Sequence, residues 1–172
     1  MLDEVIIREF LQTAYPRLVA AVALVGGSRA AAEDAVQEGL LRAWERSERG
    51  EQIESLPAWV ATVALNHVRS GLRRLRSERR ARTRLRTSGI EEDGQAPTAI
   101  RIDIERALAG LPRRQREAVV LRYYLGMDTR EVAAVLEVSE GTVKSTLFRA
   151  RATLASALGE QDFEEANEHG TA

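Results

Sequence analysis

The chain contains no cysteine among its 172 residues. Disulfides, thiol catalysis and cysteine-based zinc sites are therefore excluded, and a reducing, cytoplasmic setting is compatible. Histidine is nearly as scarce: His67 and His169 stand far apart in sequence. No glycine-rich phosphate loop, metal-ligand cluster or nucleophile beside a histidine is visible, so neither enzyme activity nor a cofactor or metal is expected. Aromatic residues make up 5% and prolines number four. No apolar run approaches the roughly 20 residues that a membrane-spanning helix requires, and no membrane insertion is expected. The start, Met1-Leu2-Asp3-Glu4, is acidic and lacks the positive charge that opens a signal peptide.

What is present is a chain of ordinary globular composition, 44% hydrophobic and 30% charged. Formal net charge is −1, but it is unevenly placed. Residues 1–60 carry a net −4, residues 61–90 a net +8 and residues 91–172 a net −5. One basic stretch between acidic flanks indicates one polyanion-binding surface, with other surfaces left for different partners.

Apolar residues recur at spacings of three and four throughout, and strand-like alternation is absent. The expected fold is all-α, in two small helical domains. A first helix is expected from Asp3 to Val25, stopped by Gly26-Gly27. A second, capped by Ser28, runs from Arg29 to Arg49 and ends at Gly50. A third starts near Leu56, with Pro57 in its first turn, and continues to about Arg82. Residues 87–99 are polar, carry Gly and Pro, have no period, and are expected to be a flexible linker. Helices over Ile100–Ala109, Pro112–Leu125, Arg130–Leu136 and Glu140–Leu158 are expected to form the second domain. The acidic segment 159–172 has no helical apolar face and is expected to be a disordered tail. The domain boundaries so expected are 1–86, 87–99, 100–158 and 159–172.

Thr129–Leu158 has the mechanics of a helix-turn-helix: a short helix, a tight turn and a longer helix with a polar first half. Ala133 is small where the two helices must cross. Val132, Leu136, Val138, Val143 and Leu147 supply the buried contacts, and Ser139 is placed to cap the second helix. Glu140, Thr142, Lys144, Ser145, Phe148, Arg149 and Arg151 point outward, and Thr142, Lys144 and Ser145 lie near its start, where base edges are reached. Arg149 and Arg151 are better placed for phosphates. An αα-hairpin with a solvated polar face is the competing reading. Glu137 occupies the turn where a left-handed backbone favours glycine, so that turn either tolerates strain or adopts another form.

On the third helix Thr62, Asn66, Arg69, Arg73, Arg76 and Arg80 follow one another by three or four residues. They stay within about 40° of one line along the helix, with Val60, Val63, Ala64, Val68, Leu72 and Leu75 mostly opposite. Arginine suits phosphate because its planar fork bonds two oxygens and keeps its charge. Asn66 can both donate to and accept from a base edge. Trp59 is either core or part of a surface on which an unpaired base stacks. On the second helix Val36, Leu40, Ala43 and Trp44 share a face that can be buried, while Asp34, Gln37, Glu38, Leu41 and Arg42 lie on another.

Several of these segments together resemble a known family. Leu111-Pro112-Arg113-Arg114-Gln115-Arg116-Glu117, Leu121-Arg122-Tyr123-Tyr124, Glu131-Val132-Ala133, Val138-Ser139-Glu140-Gly141-Thr142-Val143-Lys144-Ser145 and Arg149-Ala150-Arg151 closely resemble region 4 of extracytoplasmic-function sigma factors. Ala32-Glu33-Asp34-Ala35-Val36-Gln37-Glu38, with Ala43-Trp44, resembles region 2.2. Pro57-Ala58-Trp59-Val60, Val63-Ala64 and Asn66 resemble regions 2.3 and 2.4. The resemblance spans roughly residues 10–158. It implies a subunit that directs core RNA polymerase to promoters and assists their opening. It further implies docking of Asp34, Gln37, Glu38, Leu41 and Arg42 on the clamp helices of β′. Trp59, Thr62, Asn66, Arg69, Arg73, Arg76 and Arg80 would then engage the melted −10 element. Ser139, Thr142, Lys144, Ser145, Phe148, Arg149 and Arg151 would read duplex DNA at −35, with the same unit contacting the flap of β. An anti-sigma protein is a further candidate partner. The family often has Asp where Ser70 stands and a basic residue where Thr146 stands, departures that bear on which promoter sequences are read. A stand-alone helix-turn-helix repressor or activator is the alternative; such proteins usually dimerise, and no dimerisation helix or ligand domain is evident.

Overall fold

The computed structural model describes residues 2–81 and 99–158; within these, the side chains of 72–81, 99–103 and 158 are outside the description. The expected linker and acidic tail therefore lie outside the described residues. All regular structure among the described residues is helical, and the chain divides into two compact units, residues 1–94 and 95–172.

The first unit holds α1 (Glu4–Thr13), α2 (Tyr15–Gly26), α3 (Arg29–Glu48) and α4 (Leu56–Ala81). Asp3 is extended, and its carboxylate accepts from the Ile6 N–H at 2.9 Å, capping α1. The single helix expected over Asp3–Val25 is two helices meeting at Ala14. Pro16 is the cause. It has no N–H for the Gln12 carbonyl, and its ring crowds that carbonyl, so a continuous helix is broken and a new one starts with proline in its first turn. Gly27 ends α2 in a left-handed conformation (φ 78°, ψ 9°) and its N–H bonds the Ala23 carbonyl at 2.7 Å. Ser28 then caps α3 through the Ala31 N–H.

Ala32, Ala35, Val36, Gly39 and Ala43 form the buried stripe of α3. These residues are small, and α4 comes in close: a Cβ placed on Gly39 would stand 3.0 Å from both the Val60 carbonyl oxygen and a Val60 methyl. Phe10, Leu18, Val22, Val25, Leu65 and Val68 complete the core from the neighbouring helices. Each large apolar side chain so buried contributes about 1.5–3 kcal/mol.

The second unit holds α5 (Ala99–Gly110), α6 (Arg113–Val119), α7 (Thr129–Leu136) and α8 (Glu140–Leu158). The helix expected from Pro112 to Leu125 changes winding at Val120–Tyr124, where it becomes one π-helical turn. The Leu125 N–H reaches back five residues to the Val120 carbonyl, and Arg122 donates to the Met127 carbonyl at 3.0 Å. That turn and the reciprocal cap of α7 fix the approach to the helix-turn-helix. Asp128 accepts from the Glu131 N–H at 2.8 Å, while Glu131 accepts from the Asp128 N–H at 2.7 Å.

Between α7 and α8 Glu137 adopts φ 55°, ψ 48°. Of the two outcomes open from the sequence, the turn tolerates the strain. The Val138 N–H closes it by bonding the Ala133 carbonyl at 3.0 Å. Val132, Ala133, Leu136, Val143 and Leu147 are buried as expected, whereas Val138 is only partly so.

Two substitutions test these local accounts. Gly39→Ala should destabilise the protein by about 1–3 kcal/mol through overpacking against Val60, although alanine is the better helix former. Glu137→Gly should stabilise it by roughly 1 kcal/mol by relieving the left-handed strain. Both are read from urea unfolding midpoints.

Candidate polymerase and nucleic-acid interfaces

Burial of the small-residue stripe leaves the opposite side of α3 to solvent. Asp34, Gln37 and Arg42 are exposed, and Leu41 is 54% exposed. Glu38 is half-buried and accepts from Arg42 Nε at 2.7 Å, one turn on. A surface pair of this kind is worth only a few tenths of a kcal/mol, so it orients the two side chains more than it stabilises the helix. The Gln37 amide lies 3.5 Å from the Tyr15 hydroxyl, a long contact that reaches α2. Trp44 corrects the sequence expectation: it is 40% exposed, not core. It falls three residues after Leu41, and the two make an apolar patch on the exposed face. Val36 and Ala43 are fully buried and Leu40 partly. Trp44 lies about 100° around the helix from Ala43, on the flank of the buried stripe, where its ring stays partly in solvent.

On α4, Trp59 is half-buried and the Arg46 guanidinium of α3 lies over its ring, 4.5 Å from the centroid. Arg46 is itself held by Glu51 at 3.1 Å, and Glu51 also pairs with Arg49 at 3.1 Å. A cation over the indole is stabilising and covers one ring face, so Trp59 combines packing with partial exposure. The Thr62 hydroxyl donates back to the Ala58 carbonyl at 2.9 Å. Asn66 is exposed, and its side-chain oxygen accepts from Arg69 Nη1 at 2.8 Å.

Arg69 differs from its neighbours in the row. The spacing puts it in the same row as Thr62 and Asn66, but it is 8% exposed and bonded to Asn66. The helix turns this position toward the core side of the row, so the side chain is buried. Arg73, Arg76 and Arg80 continue α4 toward its end; their side chains lie outside the described residues. His67 is exposed.

In the second unit Val143, Leu147, Ala150 and Leu154 pin α8 to the core. Ser139, Glu140, Thr142, Lys144, Ser145, Phe148, Arg149 and Arg151 are all exposed, Phe148 to 67%. The helix start is well ordered by its own side chains. Ser139 Oγ accepts from the Thr142 N–H at 3.2 Å and lies 2.9 Å from the Thr142 hydroxyl, while Ser145 donates to the Thr142 carbonyl at 3.0 Å. The free N–H groups there form the positive end of the helix dipole, suited to a phosphate.

Sequence reasoning assigned no role to Glu117, which is fully buried. Arg113 and Arg114 approach it at 3.5 and 3.7 Å, and Arg114 also reaches the Leu136 carbonyl, at 3.4 Å. The charge pattern Arg-Arg-Gln-Arg-Glu was visible, but nothing in spacing says that the acid faces inward. Arg116 donates to the carbonyls of Ala109 and Leu111 at 3.1 and 3.2 Å, tying the end of α5 to α6. Burial pushes its guanidinium below the ordinary arginine value, opposed by the negative charge of Glu117. Tyr123 and Tyr124, exposed on the π-helical turn, were likewise not singled out as surface residues. Among the described residues no group of His, Asp or Glu is arranged to hold a metal ion. No helix there is long and apolar enough to cross a membrane.

Both units match family models in the order that their faces suggest. Sigma-70 region 2 covers residues 10–78, and sigma-70 region 4 covers residues 101–154. The chain belongs to the sigma-70 family of RNA polymerase sigma factors, in its extracytoplasmic-function group. It is 32% identical to the sigma factor EcfG of Rhodopseudomonas palustris, over 91% of this chain and 89% of that protein. It is 35% identical to SigL of Mycobacterium tuberculosis, over 78% of each. A probable sigma factor of Xanthomonas campestris, RfaY, is 33% identical over 85% of this chain, which spans 39% of that protein's length. Among solved structures, the sigma factor RpoE of Bartonella quintana, in complex with the anti-sigma factor NepR, matches with a TM-score of 0.75 and 28% identity, covering 93% of this chain and 99% of that one. The protein is thus a transcription initiation factor that directs RNA polymerase to promoters, and the stand-alone repressor or activator is set aside.

Ser139→Ala removes the acceptor for the Thr142 N–H and should cost about 1 kcal/mol of stability, measured by thermal unfolding.

Proposed function

We propose that the two units engage a promoter through three separate faces while seated on core RNA polymerase. The exposed side of α3, with Asp34, Gln37, Glu38, Leu41 and Arg42 and with Trp44 added, docks on the β′ clamp helices. An apolar centre in a polar rim is the ordinary anatomy of such an interface. The outer face of α4, with Trp59, Thr62 and Asn66 and continuing through Arg73, Arg76 and Arg80, holds the melted −10 strand. The start of α8, with Ser139, Thr142, Lys144, Ser145, Phe148, Arg149 and Arg151, reads the −35 duplex in the major groove, and its unit meets the β flap. The functional division is 1–86, a linker over 87–99, 100–158 and a tail over 159–172. The observation that carries this reading is the exposure of every outward side chain at the start of α8 over a fully buried apolar seam, in a chain that matches region 2 and region 4 in order.

The chain performs no nucleotide chemistry and acts in the cytoplasm. It opens DNA by holding unpaired bases better than the duplex. Flipping a base costs a few kcal/mol, and stacking at about 1–3 kcal/mol per base offsets it. Each DNA contact is small, and polymerase raises the effective concentration of the second once the first is made. An anti-sigma protein is a fitting further partner, supported by the complex in which the Bartonella quintana relative was solved.

Run-off transcription with core polymerase over a promoter library is the direct test: specific transcripts are expected, with weak DNA binding by the free protein. Tight promoter binding without core would contradict the seating on polymerase. Asp34→Ala with Gln37→Ala should leave the fold intact and reduce core binding in co-purification. Arg73→Ala with Arg76→Ala should lower the salt slope of promoter binding by roughly 1.5, the amount for two lost phosphate contacts.

A further inference from the structure

Asn66 is the exposed amide in the middle of the face proposed for the −10 strand, and its oxygen already accepts one hydrogen bond within the protein. Arg69 Nη1 stands 2.8 Å from Asn66 Oδ1, one helical turn on. A guanidinium has donors and no acceptor. The Asn66 atom that faces it must therefore be the carbonyl oxygen, and the amide nitrogen is the atom turned away. Arg69 is 8% exposed while Asn66 is exposed, so the lock lies inside and the free end outside.

We infer that Arg69 is a positioning residue that fixes the orientation of the Asn66 amide, so that Asn66 presents its NH2, a hydrogen-bond donor, outward to an unpaired −10 base. An amide free to rotate offers either a donor or an acceptor and discriminates poorly between base edges. A locked one selects an edge that presents a carbonyl oxygen or ring nitrogen and rejects one that presents an exocyclic amino group. The inference rests on the proposed −10 role of α4. It assigns Arg69 a different task from the phosphate contact that its spacing suggested. The charge matters as well as the shape: a hydrogen bond from a charged donor is stronger than a neutral one and holds the amide plane more firmly.

The test uses holoenzyme and promoter templates that carry each of the four bases in turn at each non-template −10 position, read as abortive transcripts. Asn66→Asp keeps the oxygen for Arg69 and removes the donor. It should fold normally, bind core normally and lose base preference at one −10 position by about tenfold. Arg69→Met keeps a long buried side chain and removes the lock. It should loosen preference at that same position while other positions keep theirs, a pattern that a general loss of stability would not produce. If Asn66→Asp retains the wild-type preference, the oxygen is the reading atom and the inference is wrong. An unchanged preference in Arg69→Met, with Asn66→Ala impaired, would overturn the lock alone. Wild-type opening and preference in Asn66→Ala would overturn both the lock and the −10 role of Asn66.

Discussion

The approach of α3 to α4 at Gly39 governs what the first unit can present. With only 3.0 Å between a would-be Cβ and the Val60 backbone, the seam admits nothing larger than alanine or valine along α3. Two consequences follow from that one constraint. The buried stripe of α3 is made of small residues, and Leu41 and Trp44, off that stripe by helical phase, stand on the surface beside Asp34 and Gln37. And α4 is held so near that Arg46 of α3 reaches the Trp59 ring. The exposed face of α3 and the cation-covered Trp59 of α4 thus depend on the same packing.

The second unit solves a related problem with a turn in place of a seam. A helix whose first residues stay exposed must project them beyond its own support. Here α7 is capped at its start by the Asp128–Glu131 pair and leaves through a left-handed Glu137, so α8 starts abruptly with its polar residues outward. Strain of about 1 kcal/mol at Glu137 is small beside the burial of Val132, Leu136, Val143 and Leu147 that the turn permits. Glutamate at that position also fits the exposed site, where glycine's extra freedom in the unfolded chain would carry its own cost.

Polar side chains in both units act mostly on one another before any partner arrives. Arg69 holds Asn66, Arg42 holds Glu38, Glu51 holds Arg46, and Ser139 holds Thr142. Preorganisation of this sort lowers the ordering cost that binding would otherwise carry. It also means that a residue's place in a helical row does not state its task. Arg69 and Arg73 share the row, yet Arg69 is turned inward as a brace.

Much was legible in the sequence because it depends on local chemistry. Ser28, Gly27, Gly50 and Pro57 marked the ends of α2, α3 and α4, and Ser139 the start of α8, since caps and breakers act within a few residues. Periodicity placed the outward face of α8, because a helix repeats every 3.6 residues wherever it occurs. The division of α1 from α2 was legible too, in Pro16, but the apolar period ran across it and masked the signal. What only the tertiary structure decided were the sides on which Trp44, Arg69 and Glu117 fall. Each lies near a boundary between faces on a helical wheel, and the packing of neighbouring elements decides the outcome: Trp44 stays partly exposed, Arg69 is buried, and Glu117 is fully buried beside Arg113 and Arg114.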